Sequence, residues 1–291
     1  MHVTTRFREL IDRDEILPAM GGYDALSAKL IEQAGGEVVY MSGSSVSTST
    51  HGEPDVGLTT MTEMVRRGRQ MAAAVDIPVF CDADTGYGNP INVRRTIQEY
   101  ERAGVAGVHL EDQVFPKKCG HFEGKDVIPV EAMVQKLRAA VDARRDDDFV
   151  IIARTDARAV HGFDDAVARS RAYIDAGADV LFFEAPESTD ELAAVAELFG
   201  DEVPLLANMT EGGQTPLLST DEFDELGYDV VLFPATGFKA ATKAMQTVFE
   251  TIAKTGTQRD VLDMLVTWQG RNEITGLDDI VELERRYASA D

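Results

Sequence analysis

Short apolar runs alternate with amphipathic stretches along the chain. The runs are Ile16–Met20, Val38–Met41, Pro78–Cys81, Ala106–Leu110, Phe149–Ala153, Val180–Phe183, Pro204–Ala207 and Val230–Phe233. Each is bounded by turn residues and rich in branched or aromatic side chains, the pattern of strands buried on both faces. The stretches Tyr23–Ile31, Thr62–Arg67 and Asn92–Ile97 carry helical spacing, and Thr189-Asp190-Glu191-Leu192 has the capping residue and early acid of a helix start. Glycines at 35, 104 and 177 stand where a helix should stop and feed the next strand. Eight strands, each followed by a helix, predict an α/β fold of the (β/α)8 TIM-barrel type. A doubly wound open sheet would need a glycine-rich fingerprint after its first strand, which is missing. No linker divides the chain, so residues 1–291 read as one barrel domain, with 259–291 a C-terminal helical extension. Leu262, Leu265, Val266, Ile280, Val281 and Leu283 in that extension need a surface to pack on, in their own barrel or in a partner subunit.

Charge narrows the function. A formal net charge of −23 repels nucleic acid and anionic membranes, so neither is expected as a partner. The acid collects in segments such as 144–148 and 220–225, which suits a solvated surface and a salt-rich, halophilic cytoplasm. No apolar run reaches the ~20 residues of a membrane span. The N-terminal residues lack the pattern of a secretory signal, and two cysteines provide no disulfide framework. A cytoplasmic setting follows as the expectation. Lysine is scarce, eight against twenty arginines, which makes the adjacent pair Lys117-Lys118 unusual.

In a parallel barrel the chemistry sits at the C-terminal strand ends. Those ends here read Tyr40-Met41-Ser42-Gly43-Ser44, Asp82-Ala83-Asp84, Glu111-Asp112-Gln113, Arg154-Thr155-Asp156, Glu184 and Asn208-Met209-Thr210. Asp82 and Asp84, one residue apart, should point the same way on a strand. With Glu111, and with Asp55 from the preceding turn, they offer an all-oxygen set suited to Mg2+ or Mn2+. Arg154 reads as a bidentate clamp for a carboxylate, in preference to a counter-charge for Glu184 and Asp156. His109 reads as a core histidine and Cys81 as a buried structural thiol. Cys119 differs: it is a loop thiol among Lys117, Lys118, Gly120 and His121, a setting for chemistry.

The Lys117-Lys118-Cys119-Gly120-His121 motif, with Glu111-Asp112-Gln113 and the segment Asp82–Gly88, resembles the isocitrate lyase/phosphoenolpyruvate mutase superfamily, nearest its 2-methylisocitrate lyase-like members. The resemblance runs from about Ile16 into the C-terminal tail. It implies a Mg2+-dependent carbon–carbon lyase acting on a 2-hydroxy di- or tricarboxylate, with 2-methylisocitrate to pyruvate and succinate, a step of propionate catabolism, as the leading expectation. It implies further that Tyr40, Ser42, Gly43 and Ser44 hold the 2-oxo acid product, and that Asp82 and Asp84 hold the metal with help from Asp55 and Glu111. Arg154 and Glu184 would face the substrate, and Asn208 and Thr210 would bind the carboxylates of the other product. A homotetramer with C-terminal helices exchanged between subunits is implied as well.

On that reading, Cys119 protonates the carbanion left after C–C cleavage, and Tyr40 is a candidate base for the substrate hydroxyl. Gly120 and Gly124 would let the cysteine loop move over the substrate. Phe182 and Ala235 fall where the substrate pocket is shaped, and Ala235 is smaller than a methylisocitrate pocket leads one to expect. The alternatives are cleavage of isocitrate, 2,3-dimethylmalate or oxaloacetate. Two others differ in kind: a metal-independent aldolase using Lys117 as Schiff-base nucleophile, and a barrel that binds without catalysing.

Overall fold

The computed structural model describes residues 1–120 and 124–288. All eight expected strands form, as β1 (Leu17–Gly22), β2 (Val39–Met41), β3 (Val79–Asp82), β4 (Gly107–Glu111), β5 (Val150–Thr155), β6 (Val180–Phe183), β7 (Leu205–Asn208) and β8 (Val230–Phe233). They are parallel, pair in sequence order, and close where β1 meets β8. The chain is therefore a (β/α)8 barrel. It divides into two compact units, Met1–Gly237 and Phe238–Asp291, a boundary earlier than the extension expected from residue 259.

Period-two alternation fills the barrel interior. Leu17 and Ala19, Tyr40, Phe80, Val150 and Ile152, Val180 and Phe182, Leu206, Val230 and Leu232 form one buried cluster. The first helix, Val3–Ile11, was not evident in the apolar pattern. It adds Phe7, Leu10 and Ile11 to that cluster, with the Phe7 ring stacked on Phe80 at 5.1 Å. Residues of the other parity pack outward against the helices; Cys81, Val108, Ile151 and Ala153 are examples. Cys81 is fully buried, as expected of a structural thiol.

Helix ends follow local chemistry. Asn89 caps the helix Pro90–Ala103 with a reciprocal capping box, and Gly104 ends it in the left-handed region at φ 82°. Ser188, one residue before the expected start, caps Thr189–Phe199. The Ser- and Thr-rich segment after β2 folds as a helix, Gly43–His51, with Ser42 accepting from the Ser45 amide. Its residues are indifferent helix formers, so the cap and the packing of Val46 decide the outcome.

At the β1–β8 seam the chain leaves no room for a side chain. A methyl group built on Gly21 would lie 2.0 Å from the backbone oxygen of Pro234. Gly21→Ala should therefore lower unfolding stability by about 3 kcal/mol, read by urea denaturation. A loss below about 0.5 kcal/mol would mean that the seam yields.

Candidate active site

The alternation that fills the interior also builds the site. One step of two residues beyond the uppermost core positions brings Ser42 after Tyr40, Asp82 after Phe80, Glu111 after His109, Arg154 after Ile152, Glu184 after Phe182, Asn208 after Leu206 and Pro234 after Leu232. All seven line one cavity at the C-terminal mouth, with Tyr40, Ser44, Asp55, Lys117, Lys118, Cys119, Gly120, Phe182, Thr210, Leu232 and Ala235. Residues expected at the site from six strands, β2 to β7, and from the loops beyond them thus meet in one place. Gly43 lies beside it: a methyl there would reach within 2.1 Å of Asp82 Oδ2, so the helix start presses directly on that carboxylate. His121 lies outside the described residues.

Asp84 does not share a strand with Asp82 as expected. β3 ends at Asp82, and Asp84 takes a left-handed backbone at φ 47° while its amide donates to Asp82 Oδ1 at 2.8 Å. That turn aims Asp84 at Lys117, whose Nζ stands 2.7 Å from both Asp84 Oδ1 and Asp55 Oδ2. Burial works against the charged ammonium, but Asp84, Asp82, Glu111 and Asp55 together raise its pKa well above the lysine value. Lys117 is a fixed cation and a poor Schiff-base nucleophile.

The acids around it are strained for charge. Burial, with repulsion from Asp82 and Asp55, lifts Asp84 to about 6 against the pull of Lys117. Burial pushes Glu111 well above the usual carboxylate range, and its Oε1 has no hydrogen-bond partner among the described residues. Four buried carboxylates near one lysine, with a bare oxygen among them, match the donor chemistry of a hard divalent cation. Among the described residues no three His, Cys, Asp or Glu side chains are arranged as a group that could hold a metal ion.

Arg154 corrects the sequence reading. Its Nε and Nη2 bind Asp156 Oδ2 and Oδ1 at 2.9 and 3.1 Å, so the bidentate edge is spent on a neighbour two residues away. Glu111 and Glu184 follow at 3.5 and 3.8 Å, and the guanidinium lies 4.9 Å from the Phe182 ring centre. A substrate carboxylate meets only what remains of the guanidinium. Asn208 Nδ2 donates to Glu184 at 3.2 Å, and Thr210 Oγ1 to Asn208 Oδ1 at 3.3 Å, a polar row along the other wall.

Tyr40 is placed differently from a general base. Its hydroxyl is 2.8 Å from His109 Nε2, and burial beside Asp82 pushes the phenol well above 10. Such a group donates a hydrogen bond more readily than it accepts a proton. His109, expected to be an ordinary core histidine, sits 3.5 Å from Asp82 Oδ1, and burial lowers it to about 4. Its Nδ1 has no hydrogen-bond partner among the described residues.

The loop after β4 is tied at successive residues. Gln113 exchanges two 2.9 Å bonds with the Lys118 backbone, and the Cys119 amide donates to Asp55 O at 3.1 Å. Lys125, which sequence reasoning missed, donates to Gly120 O and to Asp156 Oδ1. The signal available was a third lysine in one loop of a lysine-poor chain. Cys119 is partly exposed, and neither cysteine forms a disulfide.

A barrel whose mouth gathers carboxylates, two fixed cations and a partly exposed thiol has the polar, enclosed site of an enzyme acting on small molecules. Comparisons with known proteins narrow the class. The family model for phosphoenolpyruvate phosphomutase matches residues 7–253. The chain is 46% identical over 289 residues to 2,3-dimethylmalate lyase of Eubacterium barkeri, covering 99% of each protein. It is 47% identical over 281 residues to 2-methylisocitrate lyase of Aeropyrum pernix, covering 97% of this chain and 89% of the relative. A solved phosphonopyruvate hydrolase in complex with oxalate and Mg2+ superposes with a TM-score of 0.89 at 31% identity, covering 99% of both chains. The chain belongs to the phosphoenolpyruvate mutase/isocitrate lyase superfamily. Within it, the chain is a carbon–carbon lyase.

Removing the central cation tests the electrostatics. Lys117→Met should cost about 3–5 kcal/mol in EDTA-containing buffer, because Asp55 and Asp84 lose their shared partner. Chemical denaturation reads this directly, and a loss under 1 kcal/mol would show that the pairs carry little.

Proposed function

We propose that this lyase cleaves a 2-hydroxy di- or tricarboxylate with the help of Mg2+, with Mn2+ as a substitute, and that 2-methylisocitrate, giving pyruvate and succinate, is the substrate. The observation that carries the reading is Glu111 Oε1, a buried carboxylate oxygen without a partner among the described residues, in the cavity that also holds Arg154 and Cys119. Asp82, Asp84, Asp55 and Glu111 would hold the ion, which when bound favours loss of the hydroxyl proton and steadies the resulting negative oxygen.

The chain's own residues supply the rest. Ser42, Gly43 and Ser44, at the capped helix start, present hydrogen-bond donors to the 2-oxo acid half. Arg154 adds fixed positive charge without reorganising, since Asp156 already holds its orientation. Asn208 and Thr210 bind the carboxylates of the leaving half, with Glu184 orienting Asn208. Tyr40 donates to an oxygen of the bound 2-oxo acid. Cys119 gives its proton to the carbanion after the C–C bond breaks. The cavity measures about 60 Å³, far below the roughly 300–1,000 Å³ of sites that enclose drug-sized ligands, so substrate entry requires the loop bearing Cys119 to yield.

The full-length match to the dimethylmalate enzyme favours 2,3-dimethylmalate as a second reading. The unit Phe238–Asp291 exposes Phe249, Leu262, Val266, Trp268 and Ile280, which supports a homotetramer with exchanged C-terminal helices. Among the described residues no helix is long and apolar enough to cross a membrane. Two cysteines outside disulfides accord with a cytoplasmic setting.

Incubation with Mg2+ and 2-methylisocitrate, 2,3-dimethylmalate, isocitrate or oxaloacetate in turn should release a 2-oxo acid from the first most rapidly. EDTA should abolish turnover, and borohydride with substrate should trap no adduct on Lys117. Trapping with EDTA-insensitive turnover would overturn the metal reading in favour of an aldolase. Cys119→Ser should lower kcat about 10²–10⁴-fold with folding and Mg2+ affinity intact; normal turnover would remove the acid assignment.

A further inference from the structure

We infer that Lys125 is a positioning residue that sets the cysteine-bearing segment against Arg154, an inference that rests on the reading of Cys119 as the proton donor. Its side chain is only 3% exposed although it carries a charge, so its partners must compensate for lost hydration. Nζ donates to the backbone oxygen of Gly120 at 2.5 Å and to Asp156 Oδ1 at 2.9 Å. Asp156 is the carboxylate that grips Arg154, and burial notwithstanding, Arg154 and Lys125 together hold it well below the usual carboxylate pKa.

The anchor is itself rigid. The Asp156 amide donates to Asp112 Oδ1 at 2.9 Å, and Asp112 is held by Thr155 and Tyr173 hydroxyls at 2.8 Å each. On the loop side, the neighbours of Gly120 are tied elsewhere: Lys117 to Asp55 and Asp84, Lys118 to Gln113, and Cys119 to Asp55. The contact of Lys125 joins the segment to the Arg154 side of the cavity. It holds Gly120 so close that a methyl group there would meet Arg154 Nη2 at 2.5 Å and Glu184 Oε1 at 2.7 Å. One ammonium thus fixes two things at once, the orientation of the Arg154 partner and the distance of the residue next to the thiol.

The thiol provides a readout independent of turnover. Cys81 is fully buried, so iodoacetamide on the intact Mg2+-loaded protein reports Cys119, with Cys119→Ser as the blank. Lys125→Met should speed alkylation roughly tenfold, as the segment leaves its shielded position. It should lower kcat about 10²-fold with KM changed far less, and Lys125→Arg should restore part of both. Gly120→Ala keeps Lys125 but forces the same separation from Arg154, so it should raise alkylation alike; it serves as the test if Lys125→Met does not fold. An unchanged alkylation rate in a folded Lys125→Met protein, or in Gly120→Ala should that variant be needed, overturns the inference. If Cys119→Ser retains turnover while Lys125→Met still exposes the thiol, positioning stands and the acid reading alone fails.

Discussion

A barrel strand presents a side chain inward only at every second residue, and this constraint organises the molecule from core to site. The positions that pack Phe80, Ile152, Phe182 and Leu206 in the interior determine that Asp82, Arg154, Glu184 and Asn208 emerge at its mouth. Core packing and site geometry are therefore one register. A slip of one residue in any strand would bury a polar group against the helices and turn an apolar one into the site. The pairing of Glu111 with Arg154 across β4 and β5 shows the register at work, since it sets the two charges side by side.

That geometry creates a second problem, which the charge pattern solves. Carboxylates crowded in a buried mouth repel one another and lose hydration, so cations must be built in. Lys117 sits between Asp55 and Asp84, while Arg154 and Lys125 share Asp156. Two of these cations come from the loop that also carries Cys119. The residues that balance the charge of the site therefore also hold the segment that carries Cys119. A divalent ion would take up the negative charge that the lysine alone leaves over.

Much of this was legible in the sequence because it follows local rules. Eight apolar runs became eight strands, and the strand-end polar residues converged because parity and barrel closure leave them nowhere else to go. The helix Val3–Ile11 escaped notice because Phe7, Leu10 and Ile11 are too few to show a period. Gly43–His51 escaped because serine and threonine report a cap better than a helix body. The bidentate grip of Asp156 on Arg154 depends on side-chain directions at the end of β5, and the Lys125 contact spans 31 residues of sequence. Neither has a pattern to read. Asp84 departed from the expected strand because a left-handed turn, and not the pleat, aims it.

We propose that the buried acids at the barrel mouth form a divalent-cation site on which a 2-oxo acid assembles. Thermal unfolding of the intact protein and of Asp82→Asn, with Mg2+ alone, pyruvate alone and both, tests it most directly. Mg2+ and pyruvate together should stabilise the native protein by more than the sum of their separate effects, by about 2.7 kcal/mol near a hundredfold excess over the dissociation constant. Asp82→Asn should lose that cooperative shift. No Mg2+-dependent shift in the native protein, or an equal one in Asp82→Asn, would contradict the claim.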